Sequence, residues 1–351
     1  MSSPLTEIGS IEELRKFDLL GNITDLFDRA EKNGDLVYAD SKFKEIIDDE
    51  ETDLQYELKI IDALAVRPIN RPTEPESDEK ITNSHIEKVN KKNPFLRPEP
   101  ELTIIDKLCN DYRLVLNKYP NSKYHFLLVT REFEPQNSLL KPNELMIIRT
   151  IVEILNKELK KQGNGEKYFA FFNSGPNSGY SQFHKHIQFM RLPNGFKVYQ
   201  NNVIQNVDFF IPNELDQNKR PLFSNKCSFK HSILKLNKLN EDDEENEDIL
   251  ALLYMYLFNR VLNVYKEMDI DRSKLSYNFL LMDDWMMIVP RSKANYEGIW
   301  QNSLGFMGLF NAKDEAVKDK ILELGFSKIL SECGFPMEED EEKIVYNGYG
   351  Y

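Results

Sequence analysis

The stretch NSGPNSGYSQFHKHIQFM, residues 173–190, joins a glycine-containing loop to a strand-like pattern. From Phe183 onward, His184, His186 and Gln188 occupy every second position. A strand projects every second side chain to the same face. The spacing therefore predicts a row of two imidazoles and one amide directly after the loop.

The patterns around this stretch predict an α+β protein with an antiparallel sheet flanked by helices. Predicted strands are Tyr112–Asn117, Tyr124–Thr130 and Tyr168–Phe172, with a hairpin over Leu275–Pro290. Predicted helices are Ile11–Lys32, Asn143–Lys161, Glu245–Met268 and Asp314–Cys333. Ser10 and Asn143 are the expected N-caps of the first two helices.

A turn near Leu192–Gly195 divides the predicted organisation into two halves. We expect residues 1–196 to form the N-terminal half, which carries the loop and the histidines, and residues 68–92 to be a mobile insert within it. Residues 197–335 form a C-terminal half that completes the substrate site. Residues 336–351 are an acidic tail.

Charge and cysteine content restrict the class of protein. The 58 acidic residues outnumber the 45 basic ones, giving a net charge of −13. This disfavours broad nucleic-acid binding, which needs a cationic surface, but allows a small anionic substrate in a locally basic pocket. The three cysteines form no CxxC pair, and no signal peptide or membrane-length apolar run is found. We therefore expect a soluble protein of the cytoplasm, with the nucleus as a second compartment.

The histidine row suits two kinds of chemistry. A strand histidine is most often a partly buried side chain with one hydrogen bond, but two beside a glycine loop weaken that interpretation. Zinc needs three or four ligands, and no Cys pair, HExxH motif or nearby acidic residue supplies them; His125 or His231 would have to come from elsewhere. The alternative is a neutral imidazole that attacks phosphorus. Its oxygen contacts would be the N–H groups of the Gly/Ser loop and the amide of Gln188.

The segment from His184 to Gln188 resembles the His-x-His-x-Gln signature of the nucleotidylyl-transferase branch of the histidine-triad (HIT) superfamily. That branch includes galactose-1-phosphate uridylyltransferase. Further landmarks resemble the fungal diadenosine tetraphosphate phosphorylase (ATP adenylyltransferase) family: Arg67-Pro68, Asn93–Leu96, Leu116–Lys118, His125–Thr130, Trp285–Arg291 and Asn302–Lys313. The resemblance implies a HIT-like fold.

The resemblance also implies a reaction. His186 would attack the α-phosphorus of diadenosine tetraphosphate, expel ATP and hold AMP covalently until phosphate accepts it to give ADP. The reaction would be reversible and would extend to adenylylsulfate. Gln188 would contact the transferred phosphate, and His184 would orient groups or contact the leaving group.

The resemblance also implies which residues of this chain bind the substrate. They are Arg67, Asn117, Lys118, Asn173, Gly179, Tyr180, Ser181, Gln182, Gln188, Asn302, Ser303, Leu304, Leu309 and Lys313. This chain departs from the family pattern at three of them. Arg67 replaces a lysine, Leu309 replaces a methionine, and Tyr180 replaces a small residue.

No protein cage for a metal is expected, although a divalent cation such as Mg²⁺ should accompany the polyphosphate. The expected partners are diadenosine tetraphosphate, phosphate, ATP and ADP, and a monomer is expected. Two other functions stay open: a hydrolase of the same fold, and a dinucleotide-binding protein without turnover. Trp285–Met287 and His125 are expected in the core, whereas Arg291 could face either phosphate or solvent.

Overall fold

The structure, a computed structural model, describes residues 5–38, 40–41, 43–61, 93–205 and 221–337. Arg67 and the predicted insert 68–92 lie outside the described residues. So does the predicted acidic tail, apart from its first two residues.

The described strands belong to one large sheet and two small ones. In chain order they are β1 (Glu7–Ile8), β2 (Phe43–Asp49), β3 (Leu54–Ile60), β4 (Thr103–Leu108), β5 (Tyr112–Leu116), β6 (Phe126–Thr130), β7 (Tyr168–Ser174), β8 (His186–Arg191), β9 (Ser232–Lys235), β10 (Tyr277–Leu281), β11 (Trp285–Pro290), β12 (Asn295–Tyr296), β13 (Ile299–Trp300) and β14 (Leu309–Ala312). The described helices are α1 (Ile11–Lys16), α2 (Leu19–Asn33), α3 (Pro142–Lys161), α4 (Tyr199–Val203), α5 (Asp243–Glu267), α6 (Ser303–Phe306), α7 (Glu315–Leu324) and α8 (Phe326–Cys333).

The large sheet has nine strands in the order β1-β4-β5-β6-β8-β7-β10-β11-β9. Its neighbours pair antiparallel except β1 and β4, which are parallel. The α+β fold with a mainly antiparallel sheet is therefore confirmed. Strand β7 pairs with β8 on one side and with β10 on the other, so both predicted halves contribute to one sheet. The division at residue 196 stays a prediction.

Alternation along the strands gives the sheet two different faces. In β6, Phe126 and Leu128 belong to the main hydrophobic core, whereas Leu127 and Val129 belong to a separate small cluster with Phe95 and Val115. In β8, Ile187 and Phe189 belong to the main core. Because a strand alternates its side chains, His186 and Gln188 lie on the face of the small cluster. This face carries the candidate site.

Two predicted helices are interrupted. The predicted helix Ile11–Lys32 is two helices, because the chain is extended at Phe17 and Asp18 then caps α2 by accepting from the N–H of Gly21. The predicted helix Asp314–Cys333 is also two, separated by Gly325 with φ of +81°. Only glycine adopts that backbone conformation without strain.

The start of α3 and the start of β8 also differ from prediction. Asn143 lies inside α3, where its Oδ1 accepts from the hydroxyl of Tyr112 at 3.1 Å. The free N–H of Lys141 is instead satisfied by the Glu144 carboxylate at 2.7 Å. Strand β8 begins at His186 rather than Phe183, because the preceding residues bond to residues 134–136 outside the named strands.

A buried ion pair anchors the residue between the two motif histidines. Lys185 Nζ lies 2.6 Å from Glu144 Oε2, and both side chains are fully buried. The ammonium also donates to the carbonyl of Leu139 at 2.8 Å. Burial raises the pKa of Glu144, because water no longer solvates the carboxylate. The contact fixes the histidine segment to the start of α3.

We expect Glu144→Ala to lower the free energy of unfolding by about 3–5 kcal/mol, because it removes the nearer carboxylate from a buried ammonium and leaves only Glu134, at 3.6 Å. Urea unfolding at pH 7 measures the change. Glu158→Ala is the matched control: it removes an exposed pair with Lys161 and should cost less than about 1 kcal/mol. Equal losses in the two variants would contradict the structural role of the buried pair.

Candidate active site

A cavity of about 280 Å³ opens on the face of the sheet that carries the small apolar cluster. Predicted site residues that line it are Asn117, Lys118, Gln182, His186 and Gln188. They come from two separate segments of the chain, 117–118 and 182–188, which the sheet brings together. Phe95, Val115 and Leu127 form an apolar part of the lining.

The imidazole of His186 has a defined tautomer. Its Nδ1 lies 2.8 Å from the main-chain oxygen of His184. Because a carbonyl only accepts, Nδ1 carries the proton and Nε2 carries the lone pair. The ring also packs against Phe95, with centroids 5.3 Å apart. A nitrogen lone pair on a buried, oriented ring suits nucleophilic attack.

Gln136 holds the main chain of His186 from the side of β7. Its Oε1 accepts from the His186 N–H at 2.8 Å, and its Nε2 donates to the carbonyls of Asn173 and His186 at 2.9 and 3.2 Å. The ladder between β7 and β8 ends at Phe171 and Gln188, and the Gln136 side chain takes the place of its next step. Gln136 was not predicted from the sequence, because a single glutamine in a loop carries no recognisable signal.

His184 is held at both ring nitrogens. The Thr130 hydroxyl donates to the carbonyl of Glu132, so it accepts from His184 Nε2 at 2.8 Å. Nδ1 then accepts from the Asn93 amide at 2.9 Å. Burial lowers the pKa of His184 to about 4, so the ring is neutral at pH 7. These contacts favour an orienting role over a second nucleophile, and that role stays a prediction.

His125 orients the side chain of Gln188. The N–H of Asn121 donates to His125 Nδ1 at 3.3 Å, so Nε2 carries the proton and donates to Gln188 Oε1 at 3.2 Å. The Gln188 amide nitrogen is then the donor end of the side chain. His125 is fully buried, as expected for a core histidine, but its contact was missed. His125 immediately precedes β6 and is in phase with Leu127 and Val129, whose side chains lie on the face of the site. This two-residue spacing was an available signal.

A second group of predicted residues meets beside the loop. Asn173 Oδ1 accepts from the N–H and hydroxyl of Ser303 at 3.1 and 2.7 Å. Asn302 caps α6 by accepting from the N–H of Leu304 at 2.9 Å. Gly179 has φ of +83°, and a Cβ there would collide with the carbonyl oxygen of Gln301. The loop and the start of α6 therefore approach more closely than a larger residue would allow.

The remaining predicted site residues lie at the edge of the His186 cavity or outside it. Tyr180 is half-buried and packs edge-on against Phe183, and Ser181 is buried. Lys118 pairs with Glu99 at 2.5 Å at the mouth of the cavity. Leu309 lines a different cavity of about 460 Å³, and Lys313 is exposed just beyond β14. The structure thus does not bring Leu309 or Lys313 into the cavity of His186.

Arg291 faces neither phosphate nor solvent, so both alternatives for it were wrong. It is fully buried, and its guanidinium bonds to five oxygen atoms of the protein. Trp285, Met286 and Met287 are fully buried, which confirms their place in the core. Among the described residues, no group of three His, Cys, Asp or Glu side chains could hold a metal ion. No helix in the described ranges is long and apolar enough to cross a membrane.

Comparison with known proteins covers nearly the whole chain. The Ap4A phosphorylase N-terminal domain matches residues 11–208, and the ATP adenylyltransferase C-terminal domain matches residues 225–336. Diadenosine 5',5'''-P1,P4-tetraphosphate phosphorylase 2 of Saccharomyces cerevisiae is 33% identical, with 94% of this chain and 98% of that protein covered. Protein APA1 of the same yeast is 30% identical over the same shares of both chains.

Solved structures of the yeast enzyme have the same fold. The crystal structure of yeast Ap4A phosphorylase Apa2 in complex with AMP matches with a TM-score of 0.74 and 33% identity, covering 92% of this chain and 97% of that one. The complex of Apa2 with Ap4A matches with a TM-score of 0.74 and 32% identity, covering 91% and 98%.

The low pKa of His184 predicts a pH-dependent stability. Between the ordinary pKa of 6.5 and about 4, the unfolded chain binds a proton that the folded chain excludes. The contribution of neutral His184 to the free energy of unfolding is therefore fully present above pH 6.5 and is lost as the pH falls toward 4. We expect His184→Asn to reduce the slope of unfolding free energy against pH by about 1.4 kcal/mol per unit between pH 6 and 5. Urea unfolding at both pH values measures it; an unchanged slope contradicts the assignment.

Proposed function

Since this chain belongs to the family of Ap4A phosphorylases and ATP adenylyltransferases, we propose that it converts diadenosine tetraphosphate and phosphate into ADP and ATP, reversibly. Enzymes of this family are nucleotidyltransferases. The observation that carries the proposal is the His186 ring, with its proton on Nδ1 and its lone pair on Nε2, in a cavity that also holds Gln188.

The first half-reaction transfers AMP to the protein. Nε2 of His186 attacks the α-phosphorus of one AMP unit, and the bond from that phosphorus to the bridging oxygen breaks. The electron pair leaves with the oxygen, and ATP departs. Positive charge then develops on the imidazole, and the His184 carbonyl on Nδ1 stabilises it. ATP is a weakly basic leaving group, so general-acid help is of minor importance.

The second half-reaction returns the histidine to its neutral form. An oxygen of inorganic phosphate attacks the same phosphorus, the nitrogen–phosphorus bond breaks, and its electron pair returns to Nε2. The product is ADP. Because attack and departure reverse each other, the same steps join ATP and ADP into diadenosine tetraphosphate. Adenylylsulfate would enter by the same AMP transfer, with sulfate leaving.

Two groups, Gln188 and the glycine-containing loop, are proposed to contact the phosphorus oxygens. Gln188 presents its amide N–H groups, because His125 holds its oxygen. The loop supplies main-chain N–H groups, and Gly175 and Gly179 have the positive φ values, +84° and +83°, that such anion-binding loops use. Donors fixed before the reaction are the main source of rate in phosphoryl transfer.

Cations are proposed to act on the leaving polyphosphate. Lys118 would exchange its contact with Glu99, which is half-exposed, for a polyphosphate oxygen. Arg67 would hold phosphate, and Lys313 would be a remote phosphate contact. A divalent cation such as Mg²⁺ would be held by the nucleotide oxygens, because the described residues provide no set of three ligands for it. The apolar lining by Phe95, Val115 and Leu127 suits the flat face of adenine.

The compartment and the oligomeric state of the protein are also proposals. The three cysteines are free thiols, which fits a reducing compartment. We propose that the protein acts as a monomer in the cytoplasm, with the nucleus as a second compartment. Its net charge of −13 fits a small-molecule substrate rather than nucleic acid.

Product analysis tests the reaction. We expect diadenosine tetraphosphate to give ADP and ATP only when phosphate is present, because phosphate is the acceptor in the second half-reaction. AMP and ATP at full rate without phosphate would instead identify a hydrolase. Binding without any products would identify a dinucleotide-binding protein.

Covalent labelling tests the nucleophile. We expect His186→Ala to abolish turnover and the acid-labile AMP adduct formed without phosphate, while substrate still binds. His231→Ala is the matched control, because its Nδ1 also bonds to the carbonyl two residues earlier, at 2.9 Å, beside another cavity. An adduct that survives in His186→Ala would overturn the assignment.

Loss of the His125 contact should affect catalysis through Gln188. We expect His125→Ala to lower kcat/KM by about 10- to 100-fold, because a buried hydrogen bond of about 1–3 kcal/mol is lost. Steady-state kinetics per folded molecule measures the effect. The Gln188→Ala background provides the check: His125→Ala should have little further effect there, and a full additional loss would show that His125 acts elsewhere.

A further inference from the structure

We propose that Arg291 and Asn278 are positioning residues that fix the Asn173 side chain with its Nδ2 as a donor to an anionic oxygen of the substrate. The inference rests on the proposed function, since it assigns a task within the same site. Asn278 does not belong to the predicted site residues, and Arg291 had no assigned role.

Arg291 uses all five of its N–H donors inside the protein. Nε donates to the Cys333 carbonyl at 2.9 Å, Nη1 to the carbonyl of Ser178 and to Asn278 Oδ1 at 3.1 and 2.5 Å, and Nη2 to the carbonyls of Lys293 and Gln301 at 2.7 and 3.1 Å. These acceptors are neutral oxygens from the loop, from β10, from the segment between β11 and α6, and from the last residue of α8. One guanidinium thus ties the loop to the start of α6.

The donors fix the orientation of two amides in turn. Because Arg291 only donates, the Asn278 atom that faces it is Oδ1, and Asn278 Nδ2 points to Asn173 Oδ1 at 2.8 Å and to the Ser178 carbonyl at 3.0 Å. Asn173 Oδ1 also accepts from Ser303. The oxygen of Asn173 is therefore occupied by donors, and its nitrogen is the remaining polar atom.

The nitrogen of Asn173 is the reason to infer a ligand. Asn173 is only 1% exposed. Its Nδ2 is buried and has no hydrogen-bond partner among the described residues. Buried donors are nearly always satisfied. An anionic oxygen is the acceptor that a donor of this kind would take in a polyphosphate site.

Two features favour a negatively charged acceptor close to the reaction. Arg291 is held over the Phe306 ring at 4.8 Å, and although burial lowers its pKa to about 10 it remains cationic at pH 7. Its charge polarises the two amides in the direction that strengthens Asn173 Nδ2 as a donor. Asn173 and His186 are also joined through Gln136, which bonds to the carbonyls of both.

The test replaces the donor without changing the size of the side chain. Asn278→Asp provides a carboxylate for Arg291 but has no N–H group for Asn173, so Asn173 must turn its nitrogen away from the ligand. We expect kcat/KM for diadenosine tetraphosphate to fall by about 100-fold, with the fold retained by circular dichroism. Asn246→Asp is the matched control, because Asn246 is a buried amide in α5 whose side chain bonds to the main chain of Asn240. Its activity per folded molecule should stay unchanged.

A double-mutant cycle separates positioning from structural support. If Asn278 acts through Asn173, Asn278→Asp has little further effect on kcat/KM in the Asn173→Ala background. A purely structural role gives an additional full loss and overturns the inference, as does an unchanged kcat/KM in the single variant. If Asn278→Asp does not fold, the cycle is run with Arg291→Lys, which keeps the charge but loses part of the hydrogen bonding.

The wild-type protein distinguishes failure of the inference from failure of the proposed function. A wild type without turnover of diadenosine tetraphosphate overturns the proposed function, and the inference falls with it. An active wild type with additive losses in the cycle leaves the function in place and overturns the inference alone.

Discussion

The two-residue period of β8 places the reactive groups. Ile187 and Phe189 are held in the main core, and Phe189 stacks on Phe126 with centroids 4.7 Å apart. A shift of one residue would exchange the two faces of the strand and bury imidazole in that core. The large apolar area on one face therefore determines that His186 and Gln188 point to the other. The chemistry depends on hydrophobic packing that never touches the substrate.

Buried polar groups surround the reactive residues on this face of the sheet. His125, His184, Asn173 and Arg291 are each almost completely buried. Burying such groups costs free energy unless each one is hydrogen-bonded, and most of their atoms have partners within the protein. Their hydrogen bonds fix tautomers and amide orientations before a substrate arrives. The His184 carbonyl leaves the lone pair of His186 on Nε2, and His125 leaves the amide nitrogen of Gln188 as its donor end. This is preorganisation by a second layer of side chains.

Much of the fold was accessible from local patterns. The strand pair β5 and β6, the hairpin of β10 and β11, and helices α3 and α5 follow predicted segments closely, because their apolar periodicity is long and regular. The predicted helices were wrong where a single residue determines whether the helix continues. The first predicted helix breaks because Asp18 starts a new one, and the last breaks at Gly325, where the backbone turns to positive φ. In the sequence, the apolar periodicity on both sides of Asp18 and Gly325 predicts a continuous helix, and one residue is too weak a signal to overrule it.

The sequence by itself determined the histidine row, the glycine loop, the α+β class and the family, because each is recognised from short segments whose pattern is local. Only the tertiary structure decided the tautomer of His186, the orientation of Gln188 and the burial of Arg291. The contacts responsible join residues far apart, as with Gln136 and His186 or Arg291 and Ser178. Hydrogen bonds of this kind depend on where the sheet brings distant segments together, and that placement leaves no periodic trace in the sequence.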